Sequence, residues 1–160
     1  MLSEVPRGGQ QEVVRGARGS RLLAGQRLRL ASAWHGQWNG TPLTPPDRIG
    51  IGGRYTVRGF DGENPLMGDR GWLIRNDIGW ALPADSGQSG VELYAGIDYG
   101  AVGGRSAQRL LGNHLAGVAL GVRGAFKGLN YDLFVATPIA KPEGYRTSKV
   151  TGGVNLNFSF

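Results

Sequence analysis

Few residues of this sequence could carry covalent chemistry. The two histidines, His35 and His114, lie far apart and no His-x-x-x-His pair is present, so the sequence disfavours a zinc site. Ser86 and Ser89 lie in a glycine-rich stretch, but not in the Gly-x-Ser-x-Gly turn that presents a nucleophilic serine. No phosphate-binding loop of the Gly-x-x-x-x-Gly-Lys type occurs. We therefore predict no catalytic site, no metal and no cofactor, and we expect residues 86–89 to form a plain hairpin loop.

A non-covalent role is open to two charged residues, Arg58 and Asp98. Arg58 lies in a long loop that we expect to fold inward, where a desolvated charge needs a partner. Asp98 points to the same interior by the alternation of its strand. We therefore predict an Arg58–Asp98 ion pair that tethers the loop to the strand carrying Asp98. The alternative is an Arg58 that is simply solvated. Three further carboxylates are predicted to face inward and are rival partners: Asp77, Glu92 and Asp132.

The composition favours β-structure and restricts the partners. Gly occurs 29 times in 160 residues, against roughly 11 from average usage, and glycine is costly inside helices. The net charge is +6, but the basic residues are scattered, so we predict no nucleic-acid binding. The absence of cysteine excludes disulfides and thiolate metal sites. No run of about 18 apolar residues occurs, so no transmembrane helix is predicted.

Stretches of the chain alternate apolar side chains with small or polar ones, which predicts β-strands. In the last stretch, from Thr147 to Phe160, the even positions are mostly apolar and the odd positions are polar or small. Lys127-Gly128 separates two such stretches and suits a two-residue hairpin turn. Six strands are predicted, at residues 28–38, 72–82, 91–101, 115–126, 129–139 and 147–160.

The polar face of these strands distinguishes two kinds of all-β protein. A soluble sandwich or barrel turns its apolar face toward a core of large branched residues. Here the polar face combines many glycines with Asp, Arg, Lys and Asn, which is typical of a membrane barrel with a polar interior. We therefore predict C-terminal antiparallel strands of a transmembrane β-barrel, with a soluble β-barrel binding module as the alternative. Aromatic residues near the strand ends suit an interfacial girdle: Trp72, Trp80, Tyr99, Phe126, Phe158 and Phe160.

Six strands are too few to close a membrane barrel, since single-chain barrels begin at about eight. An open edge in lipid would leave backbone groups unpaired. We therefore expect residues 20–160 to be the C-terminal part of a larger barrel, or to assemble with other strands. Residues 1–19 are polar and rich in Gly and Arg, without the apolar core of a signal peptide. For them we predict a poorly structured segment.

Residues 39–70 form a long predicted loop between two strands. A structureless connection of more than about 15 residues is uncommon and is usually functional or disordered. A disordered loop would be polar and featureless, whereas this one contains Ile49, Ile51, Tyr55, Val57 and Phe60. We therefore expect the loop to pack inside the barrel.

An ordered series of motifs supports a family resemblance over residues 20 to 160. It comprises Gly36-Gln37-Trp38, Pro42-Leu43, Ile51-Gly52-Gly53, Val57-Arg58-Gly59-Phe60, Gly68-Asp69-Arg70-Gly71, Gly96-Ile97-Asp98-Tyr99-Gly100 and the glycine-rich stretch Gly117–Arg123. This series resembles the two-partner secretion transporters, the haemolysin secretion/activation proteins of Gram-negative outer membranes. The terminal Phe158 and Phe160 resemble the C-terminal signal of outer-membrane barrels.

The resemblance implies a function that the pattern alone does not. Members of the family are barrels of roughly sixteen strands, preceded by periplasmic polypeptide-binding domains, that export one large haemolysin- or adhesin-like exoprotein. Their long loop folds into the pore and is needed for secretion, and Arg58 and Asp98 match its arginine and the barrel-wall partner. We expect Gly52, Gly53, Gly68 and Asp69 to support this loop.

Further partners and one further function follow from the same resemblance. We expect outer-membrane lipid around the barrel, and barrel-assembly machinery that inserts it into the cell outer membrane. An outer-membrane insertase of the barrel-assembly type remains an alternative, because that wider superfamily shares the Val-Arg-Gly-Phe motif.

Overall fold

The computed structural model describes residues 12–14, 18–23, 27–83 and 90–158. They fold as antiparallel β-structure with two short 3-10 turns, at Pro45–Asp47 and Arg105–Arg109. No helix in these ranges is both long and apolar enough to cross a membrane. The strands are β1 Glu12–Val14, β2 Arg18–Leu23, β3 Leu28–Trp38, β4 Ile49–Ile51, β5 Leu66–Gly68, β6 Arg70–Ala81, β7 Val91–Gly103, β8 His114–Phe126, β9 Leu129–Ala140 and β10 Thr151–Phe158.

One eight-stranded antiparallel sheet contains all the long strands, in the order β1-β3-β6-β7-β8-β9-β10, with β2 also paired to β3. Each strand from β6 onward pairs with the next one along the chain. The β8–β9 hairpin turns at Lys127-Gly128, where φ is positive at both residues (45° and 83°), as a type I′ turn requires. Within the described residues the sheet does not close on itself, so it forms an open wall.

The two faces of this wall differ as the alternation predicts. Large apolar side chains on the outer face are exposed; Leu120, for example, exposes 62% of its surface and Ile97 53%. A soluble barrel would bury them, so the outward apolar face opposes the soluble binding module. Aromatic residues of this face lie near both ends of the strands, at Trp38, Trp72 and Tyr99 on one rim and at Trp80, Phe126 and Phe158 on the other.

The spacing of the two rims suits a lipid bilayer. Trp72 and Trp80 lie eight residues apart on β6, which is roughly 27 Å along a strand and about 20 Å across the membrane at the tilt usual for barrels. An outer-membrane barrel has an apolar band of about 25 Å. The spacing of these two tryptophans is therefore comparable to the height of that band and slightly smaller.

The structure differs from the sequence prediction near both ends of the chain. The predicted strand 147–160 begins only at Thr151, because residues 147–150 belong to a connector that contacts the long loop instead of continuing the pairing with β9. The poorly structured segment predicted for residues 1–19 contains β1 and the start of β2, which pair with the free edge of β3. Phe160 and the predicted hairpin loop 86–89 lie outside the described residues.

Candidate functional site

The predicted loop 39–70, called the inward loop below, leaves β3 after Trp38 and reaches β6 at Arg70. It is not structureless, since β4 and β5 pair as a small ribbon, with Ile49 opposite Gly68 and Ile51 opposite Leu66. The loop lies on the inner, polar face of the sheet. A hydrophobic cluster forms there between the loop (Ile49, Ile51, Val57, Phe60, Leu66), the wall (Leu73, Val102, Leu115) and Tyr145, which follows β9. The core of the molecule is therefore the contact between the inward loop and the wall.

Glycines of the wall allow this close approach. A Cβ on Gly100 would lie 2.9 Å from the Val57 side chain, and a Cβ on Gly117 would overlap the carbonyl oxygen of Arg58. Gly96 lies under the Arg58 guanidinium in the same way. These three inner-face glycines therefore accommodate the loop.

Only glycine fits at position 59 of the motif, for two reasons. Its φ of +98° is one that other residues rarely adopt. A Cβ there would also lie 2.6 Å from the Thr137 carbonyl carbon and oxygen of β9. The motif therefore combines a buried arginine with the glycine that brings its backbone against the wall.

Arg58 and Asp98 form a buried ion pair, with each side chain only 1% exposed. The Arg58 Nε donates to Asp98 Oδ2 at 2.7 Å and Nη2 donates to Oδ1 at 2.6 Å. The backbone N–H of Arg58 also donates to Oδ2, at 2.9 Å. This two-pronged geometry is the strong form of an arginine–carboxylate contact. Burial alone would lower the pKa of Arg58. The hydrogen bonds and charges of Asp98 and Asp77 raise this pKa by more than burial lowers it, so it lies above its usual value.

Asp77, one of the three rival partners, also binds Arg58: Nη2 lies 2.6 Å from Asp77 Oδ1. Among the described residues, Asp98 and Asp77 are the two carboxylates within ion-pair distance of Arg58. Glu92 and Asp132 face inward but bind elsewhere. Glu92 binds Arg29 and Arg123, and Asp132 accepts a hydrogen bond of 2.7 Å from the Tyr94 hydroxyl.

The ion pairs continue along the wall beyond Arg58. Arg123 Nη1 lies 3.3 Å from Asp77 Oδ2, and its Nε donates to Glu92 Oε1 at 2.7 Å. Arg29 donates two hydrogen bonds of 2.8 Å to Glu92. The chain of alternating charges therefore runs from the inward loop through β6, β8 and β7 to β3.

Asp69 holds the base of the inward loop. Its buried carboxylate accepts backbone N–H bonds from Leu43 and Ser106, each at 2.9 Å, and Arg48 lies 3.8 Å away. The backbone hydrogen bonds lower the pKa of Asp69. A Cβ on Gly68 would meet the backbone of Gly103 at 2.6 Å, so this glycine lets β5 approach the end of β7. Two predicted support residues therefore join the loop to the β7–β8 connection.

Gly52 and Gly53, the other two predicted support residues, form a tight turn. The Gly52 N–H donates to the Thr56 hydroxyl at 3.1 Å, and the Gly53 carbonyl accepts from the Thr56 N–H at 3.0 Å. This turn precedes Val57 directly, so it sets the direction in which the motif enters the wall.

Sequence reasoning missed the residues that hold the tip of the loop from the other side. Asp61 accepts the Ser148 backbone N–H at 2.8 Å, and this hydrogen bond lowers the pKa of Asp61. The Tyr145 hydroxyl donates to the Asn64 carbonyl. The rings of Tyr145 and Phe60 pack edge to face, with their centroids 5.8 Å apart. Both partners belong to the connector between β9 and β10, residues 141–150, where no alternation gives a signal.

The described residues contain no group of three or more His, Asp or Glu side chains that could hold a metal ion. What the site can do is non-covalent: it holds a folded loop against a polar, charged wall.

An open antiparallel wall with an outward apolar face and a loop bound to its inner face defines part of an outer-membrane β-barrel. Residues 17–124 match the family described as haemolysin secretion/activation protein ShlB/FhaC/HecB. The chain belongs to this family, which confirms the resemblance to two-partner secretion transporters. Its location is the outer membrane.

Curated relatives and solved structures agree with this assignment. The chain is 42% identical over 143 residues to outer membrane transporter CdiB-2 of Burkholderia pseudomallei (strain 1026b), covering 87% of this chain and 24% of that protein. It is 28% identical over 126 residues to outer membrane transporter CdiB of Dickeya dadantii (strain 3937), covering 79% and 22%. The structure of CdiB from Acinetobacter baumannii superimposes with a TM-score of 0.75 and 32% identity, covering 89% of this chain and 26% of that one. CdiB from Escherichia coli, 21% identical with a TM-score of 0.76 over 86% of this chain and 25% of that one, shows the fold alone. The chain therefore spans about a quarter of the length of these relatives.

Proposed function

We propose that this chain forms the C-terminal wall of an outer-membrane pore that exports a large haemolysin- or adhesin-like exoprotein by two-partner secretion. The observation that carries the proposal is the inward loop, whose Val57-Arg58-Gly59-Phe60 motif is bound to the inner face of the wall. The role is transport without covalent catalysis. The curated relatives, which are named outer membrane transporters, support it.

The proposed mechanism uses the inner face as the path of the exoprotein. The exoprotein enters unfolded from the periplasm and passes along a surface of arginines, carboxylates and glycines, which stays hydrated and offers few apolar contacts. Folding of the exported chain outside the cell supplies direction. In the docked state the inward loop covers the middle of this surface, so the motif controls how much of the path is open.

The same proposal assigns two further partners. Outer-membrane lipid covers the outward apolar face, where side chains such as Leu120 and Ile97 are exposed. The barrel-assembly machinery inserts the barrel and recognises its C-terminal end, to which Phe158 and Phe160 belong.

Secretion by variants of the inward loop tests the proposed function. We expect Arg58→Gln in the full-length transporter to lower the amount of exoprotein in the medium by about tenfold or more, because Asp98 and Asp77 lose a buried partner. Arg54→Gln, which removes an exposed arginine of the same loop, is the matched control and should secrete normally. The amount of transporter in the outer membrane is measured for each variant.

Either of two results would contradict the proposal. One is unchanged secretion by Arg58→Gln at equal outer-membrane levels. The other is an exoprotein that reaches the medium equally well when the transporter gene is deleted.

A further inference from the structure

We propose that Arg75 is the stand-in partner of Asp98: when the inward loop leaves the wall, the Arg75 guanidinium takes the position that Arg58 holds in the docked state. Arg75 is then a positioning residue that makes release of the loop less costly. The inference deepens the proposed function and rests on it in one respect, since export is what requires the loop to leave.

The register of the wall places Arg75 next to Asp98. The two residues are direct partners across β6 and β7, and both side chains point inward. Arg75 Nε lies 3.6 Å from Asp98 Oδ2, which is longer than a hydrogen bond. Both carboxylate oxygens of Asp98 already accept hydrogen bonds from Arg58. While the loop is docked, Arg75 therefore lies beside a carboxylate whose hydrogen bonds are used by another arginine.

Each of the other ion-paired carboxylates of the wall also has an arginine that does not depend on the loop. Asp77 keeps Arg123, at 3.3 Å, and Glu92 keeps Arg29, at 2.8 Å. Asp132 is bound by the Tyr94 hydroxyl. With Arg75 assigned to Asp98, departure of Arg58 leaves each of these acids a partner on the wall.

The side chain of Arg75 has the freedom that the exchange needs. It is 26% exposed, whereas Arg58 and Asp98 are each 1% exposed. Arg58 and Arg75 are like charges that compete for one carboxylate, so Arg75 also weakens the docked state. Removing Arg75 should therefore favour docking in two ways: it relieves this repulsion, and it leaves Asp98 without a cation when the loop departs.

The direction in which removal of Arg75 changes the docking of the loop distinguishes this role from structural support. An arginine that merely supported the site would loosen the loop when it is removed, whereas the exchange predicts a loop that is held more tightly.

Accessibility of a thiol in the motif measures release of the loop directly. These 160 residues contain no cysteine and Val57 is fully buried, so Val57→Cys, in a transporter without cysteine elsewhere, gives one thiol that is covered when the loop is docked. The rate of its modification by a small maleimide is measured in outer membranes containing the full-length transporter and no exoprotein. Arg75→Gln, Arg75→Lys and Arg29→Gln are compared in this background, and Phe60→Cys gives a second buried position.

We expect Arg75→Gln to slow modification about threefold to tenfold, the smaller value applying if water entering the vacated space hydrates Asp98. Arg75→Lys should keep the rate of the parent, because the ammonium can still reach Asp98. Arg29→Gln should also keep it, since Glu92 retains Arg123. A rate that is unchanged or faster in Arg75→Gln at both thiol positions would overturn the inference.

The labelling experiment does not depend on export. If labelling follows the predicted pattern and the secretion test fails, the proposed function is wrong and the role of Arg75 stands.

Discussion

The inward loop is held by a buried carboxylate at its tip, which carries the Val57–Phe60 motif, and by another at its base, near Leu43 and Asp69. The two carboxylates form different kinds of bond. At the tip, Asp98 binds the side chain of Arg58, and a second arginine lies 3.6 Å from Asp98 on the wall. At the base, Asp69 accepts two backbone N–H bonds, from Leu43 and Ser106. Backbone donors are fixed in place by the fold, whereas an arginine side chain can be exchanged for another. The difference indicates that the base is a permanent attachment and the tip a releasable one.

Asp98→Asn should have the largest effect on this arrangement. The amide cannot balance the Arg58 charge, and losing one partner of a buried ion pair costs about 3 kcal/mol, the lower end of the usual range because Asp77 remains. Hydrogen exchange of the motif backbone in the purified transporter should accelerate on the order of a hundredfold. Exchange at Leu43 and Ser106 should hardly change, because the base is held independently. Equal acceleration at the tip and the base would show that the two attachments are one cooperative unit.

Asp69→Asn should have a smaller effect and a different location. The amide keeps one acceptor oxygen, so one of the two backbone N–H groups loses its bond at a cost of about 2 kcal/mol. Hydrogen exchange should accelerate at Leu43 and Ser106, with the Arg58–Asp98 contact at the tip retained. An effect confined to the tip would contradict the assignment of Asp69 to the base.

The alternation of the strands explains how much of this comparison was predictable. Asp98 could be placed on the inner face because side-chain direction in a strand follows from counting positions by two, and Asp77 could be named as a rival partner in the same way. The Asp61–Ser148 and Tyr145–Asn64 contacts could not, because each joins two irregular segments more than 80 positions apart. The fit of Gly100 and Gly117 under the motif was equally hidden, since a glycine in a pattern does not say what occupies the space beside it.

The pH dependence of the base should be the smallest effect. The pKa of Asp69 is lowered in the folded state, so its stabilising contribution is complete above the ordinary aspartate value and is lost as the pH falls through the lowered one. The protection of the Leu43 and Ser106 amides, which is their exchange rate relative to the intrinsic rate at each pH, should therefore stay constant from pH 7 to about 5 and should fall below about 4. Asp69→Asn should remove this dependence at Leu43 and Ser106. A dependence that the variant leaves intact would mean that another group titrates.

A reversible cross-link between the loop tip and the connector that joins β9 to β10 is the most direct test of the account. Asp61 and Ser148 are in contact and both are exposed, so Asp61→Cys with Ser148→Cys places two thiols side by side, in a transporter without cysteine elsewhere. We predict that the pair cross-links on oxidation in intact outer membranes, that secretion of the exoprotein stops, and that reduction restores it, while each single cysteine secretes normally. Normal secretion by the fully cross-linked transporter, or failure of the two thiols to cross-link in the membrane, would contradict a docked loop that must leave the wall for export.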